Sequence, residues 1–212
     1  MKRIALVMGA ALAWPLTANA DISYNYVQAD WIADGEIDLD TNVPGLGNGS
    51  DDYDGWSIEA SGAVTDNLFL LGEYNDLSFD DAGDADLTTL GVGLRAALNP
   101  ANGAADVYGM LSYEEFDSDA EGFGLTGGFR WVPTAGVEIN PSVAYVDYGE
   151  IDGTSLDLDG WRYGIRGIFN VTDQVALNAE WRTHNLEADG GGVNADIDLE
   201  NEIRLGARFY WM

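Results

Sequence analysis

The sequence contains no cysteine, a single lysine (Lys2) and a single histidine (His184). Without cysteine there are no disulfides and no thiolate metal sites, so the fold must be held by its own hydrogen-bond ladder and packing. Basic residues of either kind are scarce: nine Lys and Arg stand against 37 Asp and Glu, for a formal net charge of −28. A phosphate-binding surface must be basic, which excludes a nucleic-acid role. Long apolar runs are missing too. The longest, Ile4 to Trp14, falls short of the ~20 residues a membrane-spanning helix needs, and Pro15 ends it. Acidic chains of low hydrophobicity are often disordered, but 46% hydrophobic and 11% aromatic residues set this one apart.

What the N-terminus does hold is a secretory signal pattern. Lys2 and Arg3 form a charged n-region, Ile4 to Trp14 an apolar core, and Ala18-Asn19-Ala20 a small-x-small cleavage site. The expected organisation is a signal peptide over 1–20 and one mature domain over 21–212.

The arginines beyond it are Arg95, Arg130, Arg162, Arg166, Arg182, Arg204 and Arg208, all in strand-like segments and all but Arg182, which Thr183 follows, flanked on both sides by apolar residues or glycine. Arg162 and Arg166, and Arg204 and Arg208, recur at even spacing. Side chains of a strand alternate between faces, so these arginines share one face and the apolar residues the other. A soluble β-sandwich would reverse that arrangement, with an apolar interior and a polar exterior. A closed barrel in a membrane turns its apolar face to lipid and its charges inward.

The spacing predicts ten strands, near 22–33, 54–64, 68–78, 87–98, 106–116, 122–132, 137–148, 160–170, 175–185 and 200–211. Most suit the ~9–11 residues of a tilted bilayer crossing. The connections alternate between two kinds. Short turns such as Thr65-Asp66-Asn67, Asn99-Pro100-Ala101-Asn102-Gly103, Pro133-Thr134-Ala135-Gly136 and Thr172-Asp173-Gln174 take turns with longer Asp- and Gly-rich loops near 34–53, 79–86, 117–121, 149–159 and 186–199. That is the layout of an outer-membrane barrel, with short periplasmic turns and longer extracellular loops. Two hairpins, Val64 to Tyr74 and Val171 to Trp181, resemble one another, and each follows a strand that opens with Asp-Gly-Trp.

Faces follow strand by strand. Trp56, Ile58, Ala60 and Val64 point outward, as do Leu90, Val92 and Leu94, then Phe123, Leu125, Phe129 and Trp131, and in the last strand Ile203, Leu205, Phe209 and Trp211. The inward face carries the seven arginines with Glu59, Glu73, Glu114, Glu138 and Glu180. An unpaired buried charge is very costly, so these acids and arginines are expected to pair across the lumen and to fill and rigidify it. The alternative makes them a gate or selectivity ring of a narrow porin-like channel. The first and seventh strands alternate less cleanly.

The loop carboxylates admit divalent cations, either as calcium sites or as bridges to lipopolysaccharide phosphates, although no EF-hand spacing is present. An enzymatic reading would rest on His184, with Asp76, Glu187 or Ser78 approaching it at the extracellular strand ends.

The chain resembles the small outer-membrane β-barrels of Gram-negative bacteria, the OmpA/OmpX-like group. The resemblance is carried by the signal peptide, Ile22-Ser23-Tyr24-Asn25-Tyr26-Val27, Asp54-Gly55-Trp56, Leu68 to Tyr74 and the aromatic final strand. The opening and the Asp-Gly-Trp element are more specifically similar to a diffusible-signal-regulated outer-membrane protein family. Two features depart from the pattern. Such barrels often end on an aromatic residue, whereas Trp211 is followed here by Met212, and the commonest members have eight strands. If the count were eight, 106–116 and 137–148 would be the segments to drop. The resemblance implies an all-β, closed antiparallel transmembrane barrel in the outer membrane. It implies contact with membrane lipids and lipopolysaccharide and no single activity, since members include anchors, adhesins, narrow channels and a few enzymes. The role expected is non-enzymatic, in envelope integrity or surface interaction, by a monomer without a cofactor.

Overall fold

The computed structural model describes residues 22–41, 48–81, 83–98, 104–116, 120–150, 156–190 and 193–211. The proposed signal peptide and the turn at 99–103 lie outside the described residues. Ten strands follow one another: β1 Tyr26–Thr41, β2 Gly49–Ala63, β3 Leu68–Phe79, β4 Gly83–Leu98, β5 Ala104–Phe116, β6 Ala120–Thr134, β7 Val137–Glu150, β8 Asp157–Asn170, β9 Val175–Gly190 and β10 Val193–Tyr210. Each pairs with its sequence neighbours, and β1 closes on β10 to complete the barrel. All pairings are antiparallel, including Tyr26↔Tyr210 at the seam. The segments 106–116 and 137–148 are full members of the ladder as β5 and β7, so the eight-strand alternative is overturned.

The outer wall shows why these strands sit in lipid. Leu94, Phe123, Leu125, Leu90 and Leu111 are each more than half exposed. In water such a band would be an aggregation surface, whereas hydrocarbon solvates it. Aromatic residues rim the band: Trp31 opposes Trp56, and Tyr145 opposes Trp161, near one end. Trp131 and Trp211 lie toward the other. These are the girdles expected where acyl chains meet headgroups.

The strands run further than the sequence suggests. β1 and β10 continue through Thr41 and from Val193, so much of the acidic stretches 34–53 and 186–199 is ladder and not loop. The reason is a change of phase. In β1 the inward residues are Tyr26, Gln28, Asp30 and Ile32 up to a bulge, and Gly35, Ile37 and Leu39 beyond it. In β10 the inward set changes from Ala195, Ile197 and Leu199 to Glu202, Arg204 and Arg208 across a bulge at which Asn201 has φ 56°. An extra residue in one strand rotates every later side chain to the other face. The irregular alternation over 22–33 has two sources: Ile22 to Asn25 precede the strand, and the inward face of β1 mixes Tyr26 and Ile32 with Gln28 and Asp30. β7 keeps one phase, but its inward face runs from Glu138, Asn140 and Ser142 to Ala144, Val146 and Tyr148, so polarity changes along it.

The inward residues of the extended ends form an apolar core. It joins Ile32, Tyr53, Leu77, Leu87, Val146, Tyr148, Leu158, Leu186 and Leu199, with Ile37, Leu39 and Ile197 against them. A second, smaller apolar cluster of Ile22, Tyr24, Phe69, Met110 and Val132 lies at the short-turn end. The charges lie between the two.

Candidate functional site

Every residue of the expected lumen network points inward, and a single chain of ion pairs links seven charges across the barrel. Glu59 on β2 accepts two hydrogen bonds from Arg166 on β8, at 2.9 and 3.0 Å. Arg166 also donates to Glu180 on β9 at 2.8 Å. Glu180 accepts from Arg182 at 3.1 Å, and Arg182 crosses to Glu73 on β3 at 3.0 Å. Glu73 in turn accepts from Arg204 on β10 at 2.6 Å, and Arg204 reaches Glu202 at 2.5 Å. Pairs such as β2 with β8 and β3 with β9 lie four strands apart in a ten-stranded ring. The contacts therefore cross the lumen, and do not run along its wall. Each of the seven is less than one-tenth exposed. Desolvating so many charges is tolerable only because nearly every donor and lone pair has a partner.

Uncharged groups complete the network. Tyr26 donates to Glu59 at 2.7 Å, Tyr53 to Glu202 at 3.0 Å, and Arg204 to the Asn75 side-chain Oδ1 at 2.8 Å. Arg208 is held differently: its Nε donates to Gln28 at 2.8 Å, and its guanidinium lies 3.7 Å from the Tyr26 ring centroid. Its terminal nitrogens make no hydrogen bond, and Glu59 stands 3.6 Å away as an ion-pair partner. Here the π face takes the place of an acceptor.

The remaining predicted residues form separate pairs. Arg162 donates to Glu114 at 3.1 Å, and Thr89 and Ser112 each donate to the same carboxylate at 2.7 Å. Arg130 holds Glu138 with two hydrogen bonds, at 2.6 and 3.0 Å. Arg95 pairs with Asp106 at 3.1 Å, at the less buried short-turn end.

Three acids of this system escape the sequence pattern. Asp106 stands near the start of β5, and its only signal is its even spacing from Glu114. Glu202 follows the β10 bulge, and Asp30, which accepts from Gln28 and Asn178 at 2.6 Å each, lies in the strand whose phase breaks. The inward glycines leave no gaps: a side chain at Gly93 would collide with the Phe69 ring, and one at Gly128 with Tyr108. Rings from neighbouring strands fill these notches. The charged layer holds a cavity of about 80 Å³, lined by residues including Tyr26, Thr126, Asn140 and Arg166.

His184 is also inward and buried, with its Nε2 unpartnered, beside Tyr148, Leu186 and Leu199. Asp76, Ser78 and Glu187 lie on the opposite, outward face of their strands. A catalytic constellation of these residues around His184 is therefore not formed. Among the described residues, no group of three or more His, Asp or Glu is arranged to hold a metal ion. The extracellular acids instead form a row: Asp40 opposes Asp196, Asp196 opposes Glu187, Glu187 opposes Asp159, and Asp159 opposes Asp147.

No curated protein matches the chain. Among solved structures, Neisserial surface protein A is similar at 18% identity and TM-score 0.39, over 89% of this chain and 98% of that one. An outer-membrane channel from Pseudomonas putida F1 is similar at 12% identity and TM-score 0.45, over 92% and 97%. The KdgM porin, solved with disordered oligogalacturonate, is similar at 9% identity and TM-score 0.44, over 88% and 99%. The family model for the outer membrane protein beta-barrel domain matches residues 4–209. Inward charge, apolar outer wall and closed ten-stranded ladder agree with that match, and the chain belongs to the outer membrane protein beta-barrel family of the bacterial outer membrane.

Proposed function

We propose that this protein is a plugged, non-enzymatic outer-membrane barrel, delivered by an N-terminal signal peptide, that serves envelope integrity or surface interaction through its acidic extracellular strand ends. The observation that carries this reading is the ion-pair chain from Glu59 to Glu202, which fills the lumen between two apolar clusters. A conducting pore needs a continuous wet path, and the cavity of about 80 Å³ in the charged layer holds only a few waters. The porin-like alternative draws on that same cavity.

Outward from the girdle, the facing carboxylates from Asp40 to Asp147 would meet lipopolysaccharide phosphates in an outer leaflet, and like charges directly opposite one another are destabilising unless countered. Divalent cations shared between this row and the phosphates would supply that counter-charge. The test is magnesium-dependent retention of the refolded monomer on lipopolysaccharide vesicles. Replacing Asp196, Glu187 and Asp159 by their amides is expected to abolish retention, while Arg166 substitution leaves it in place in the folded fraction. The opposite pattern would move function into the lumen.

A further inference from the structure

Residues Ile22 to Asn25 precede β1 and have no strand partners, yet Ile22 and Tyr24 are buried inside the barrel. The Tyr24 ring lies between two guanidiniums, 4.7 Å from that of Arg95 and 4.4 Å from that of Arg130. It also packs on Phe69 with ring centroids 4.6 Å apart. The same arginines fix the backbone of the segment: Arg130 donates to the Ser23 carbonyl at 3.0 Å, and Arg95 to that of Ile22 at 3.4 Å. Each arginine keeps its own carboxylate as well, Asp106 for Arg95 and Glu138 for Arg130. The seat is therefore charge-balanced with or without its occupant.

At Asn25 the geometry changes from seat to hinge. Its side-chain carbonyl accepts from the Ala63 amide at 2.8 Å, and its backbone carbonyl from the Trp211 amide at 3.2 Å. These bonds tie the segment to the rim, next to the first ladder pairs of Tyr26. Among the described residues, Ile22 to Tyr24 join no strand ladder before the hinge. Withdrawing them would break two backbone hydrogen bonds and the ring contacts but no strand pairing.

We propose that Ile22–Asn25 is a tethered stopper that seals the short-turn, periplasmic end of the lumen, with the Tyr24 ring as its head and Asn25 as its hinge. This deepens the plugged-barrel reading by assigning closure of one mouth to a separable piece of chain. Tyr24 Oη has no hydrogen-bond partner, so the ring and not the hydroxyl holds the head in place. Behind the stopper lies the 80 Å³ cavity, which Thr126 lines with an equally unpartnered hydroxyl.

The absence of native cysteine makes the test direct. A Thr126→Cys chain, refolded in detergent and verified by its heat-dependent gel shift, is titrated with a charged methanethiosulfonate reagent. Labelling is expected to be slow with Tyr24 present, equally slow with Tyr24→Phe, and about tenfold or more faster with Tyr24→Ala, the scale set by losing two ring–guanidinium contacts. Rapid labelling of the Thr126→Cys chain that retains Tyr24, or equal rates with phenylalanine and alanine at position 24, would overturn the stopper. The first of these outcomes needs no further variant, so the stopper stays open to refutation even if Tyr24→Ala fails to refold. Conductance by the unaltered barrel would instead overturn the plugged reading itself, so the two failures are told apart.

Discussion

At the scale of single residues, the ion-pair chain across the lumen rests on arginine. Its planar fork lets one side chain bridge two carboxylates, as Arg166 does for Glu59 and Glu180, and lysine's single ammonium cannot reproduce that geometry. Removing one partner leaves a buried charge uncompensated, which costs about 3–5 kcal/mol. Arg166→Met is therefore expected to lower stability by that amount in urea unfolding of the refolded barrel. Adding Glu59→Gln should recover much of the loss, since a removed pair is far cheaper than a broken one. A single substitution with no effect on unfolding would show that water reaches the network. The side of the sheet on which each arginine stands was legible from its alternation with apolar residues, because period two is enforced wherever one face meets lipid. Which acid each would meet was not legible. Pairs such as Arg182 with Glu73 join residues far apart in sequence, and only barrel closure brings them together.

At the scale of elements, the ten ladders and their order follow from the alternation of turns and strands, and the departures have local causes. The bulges in β1 and β10 reverse the inward set partway along each strand, so Ile37, Leu39, Ile197 and Leu199 read as scattered residues in acidic loops. Once the phase shift is applied, they are the inward half of a regular strand, and the intervening Asp38, Asp40, Asp196 and Asp198 are its outward half. This explains how an acidic segment is held as sheet: burial of the apolar half offsets repulsion within the row. Glu187 has a carboxylate directly opposite on each side, Asp196 on β10 and Asp159 on β9's other neighbour. Glu187→Lys should then stabilise the barrel by roughly 0.5–1 kcal/mol through two favourable cross-strand pairs. The gain should shrink as salt is added, because exposed charges are screened. A destabilised variant in low salt would contradict the row.

At the scale of the molecule, polarity is stacked along the barrel axis. An apolar cluster occupies the end with the extended strands, paired charges occupy the middle, and Tyr24 with its neighbours occupies the other mouth. The notches at the inward Gly93 and Gly128 are occupied by the rings of Phe69 and Tyr108. The sequence could not reveal this, because the filling side chain stands on a different strand from the notch. The central claim is that the lumen is closed, and planar-bilayer conductance of the refolded protein tests it most directly. A closed lumen predicts a silent membrane, with folding verified by the heat-dependent gel shift. Discrete ohmic steps whose ion selectivity changes on Arg166→Ala or Arg208→Ala substitution would contradict it and make the charged layer the lining of a pore.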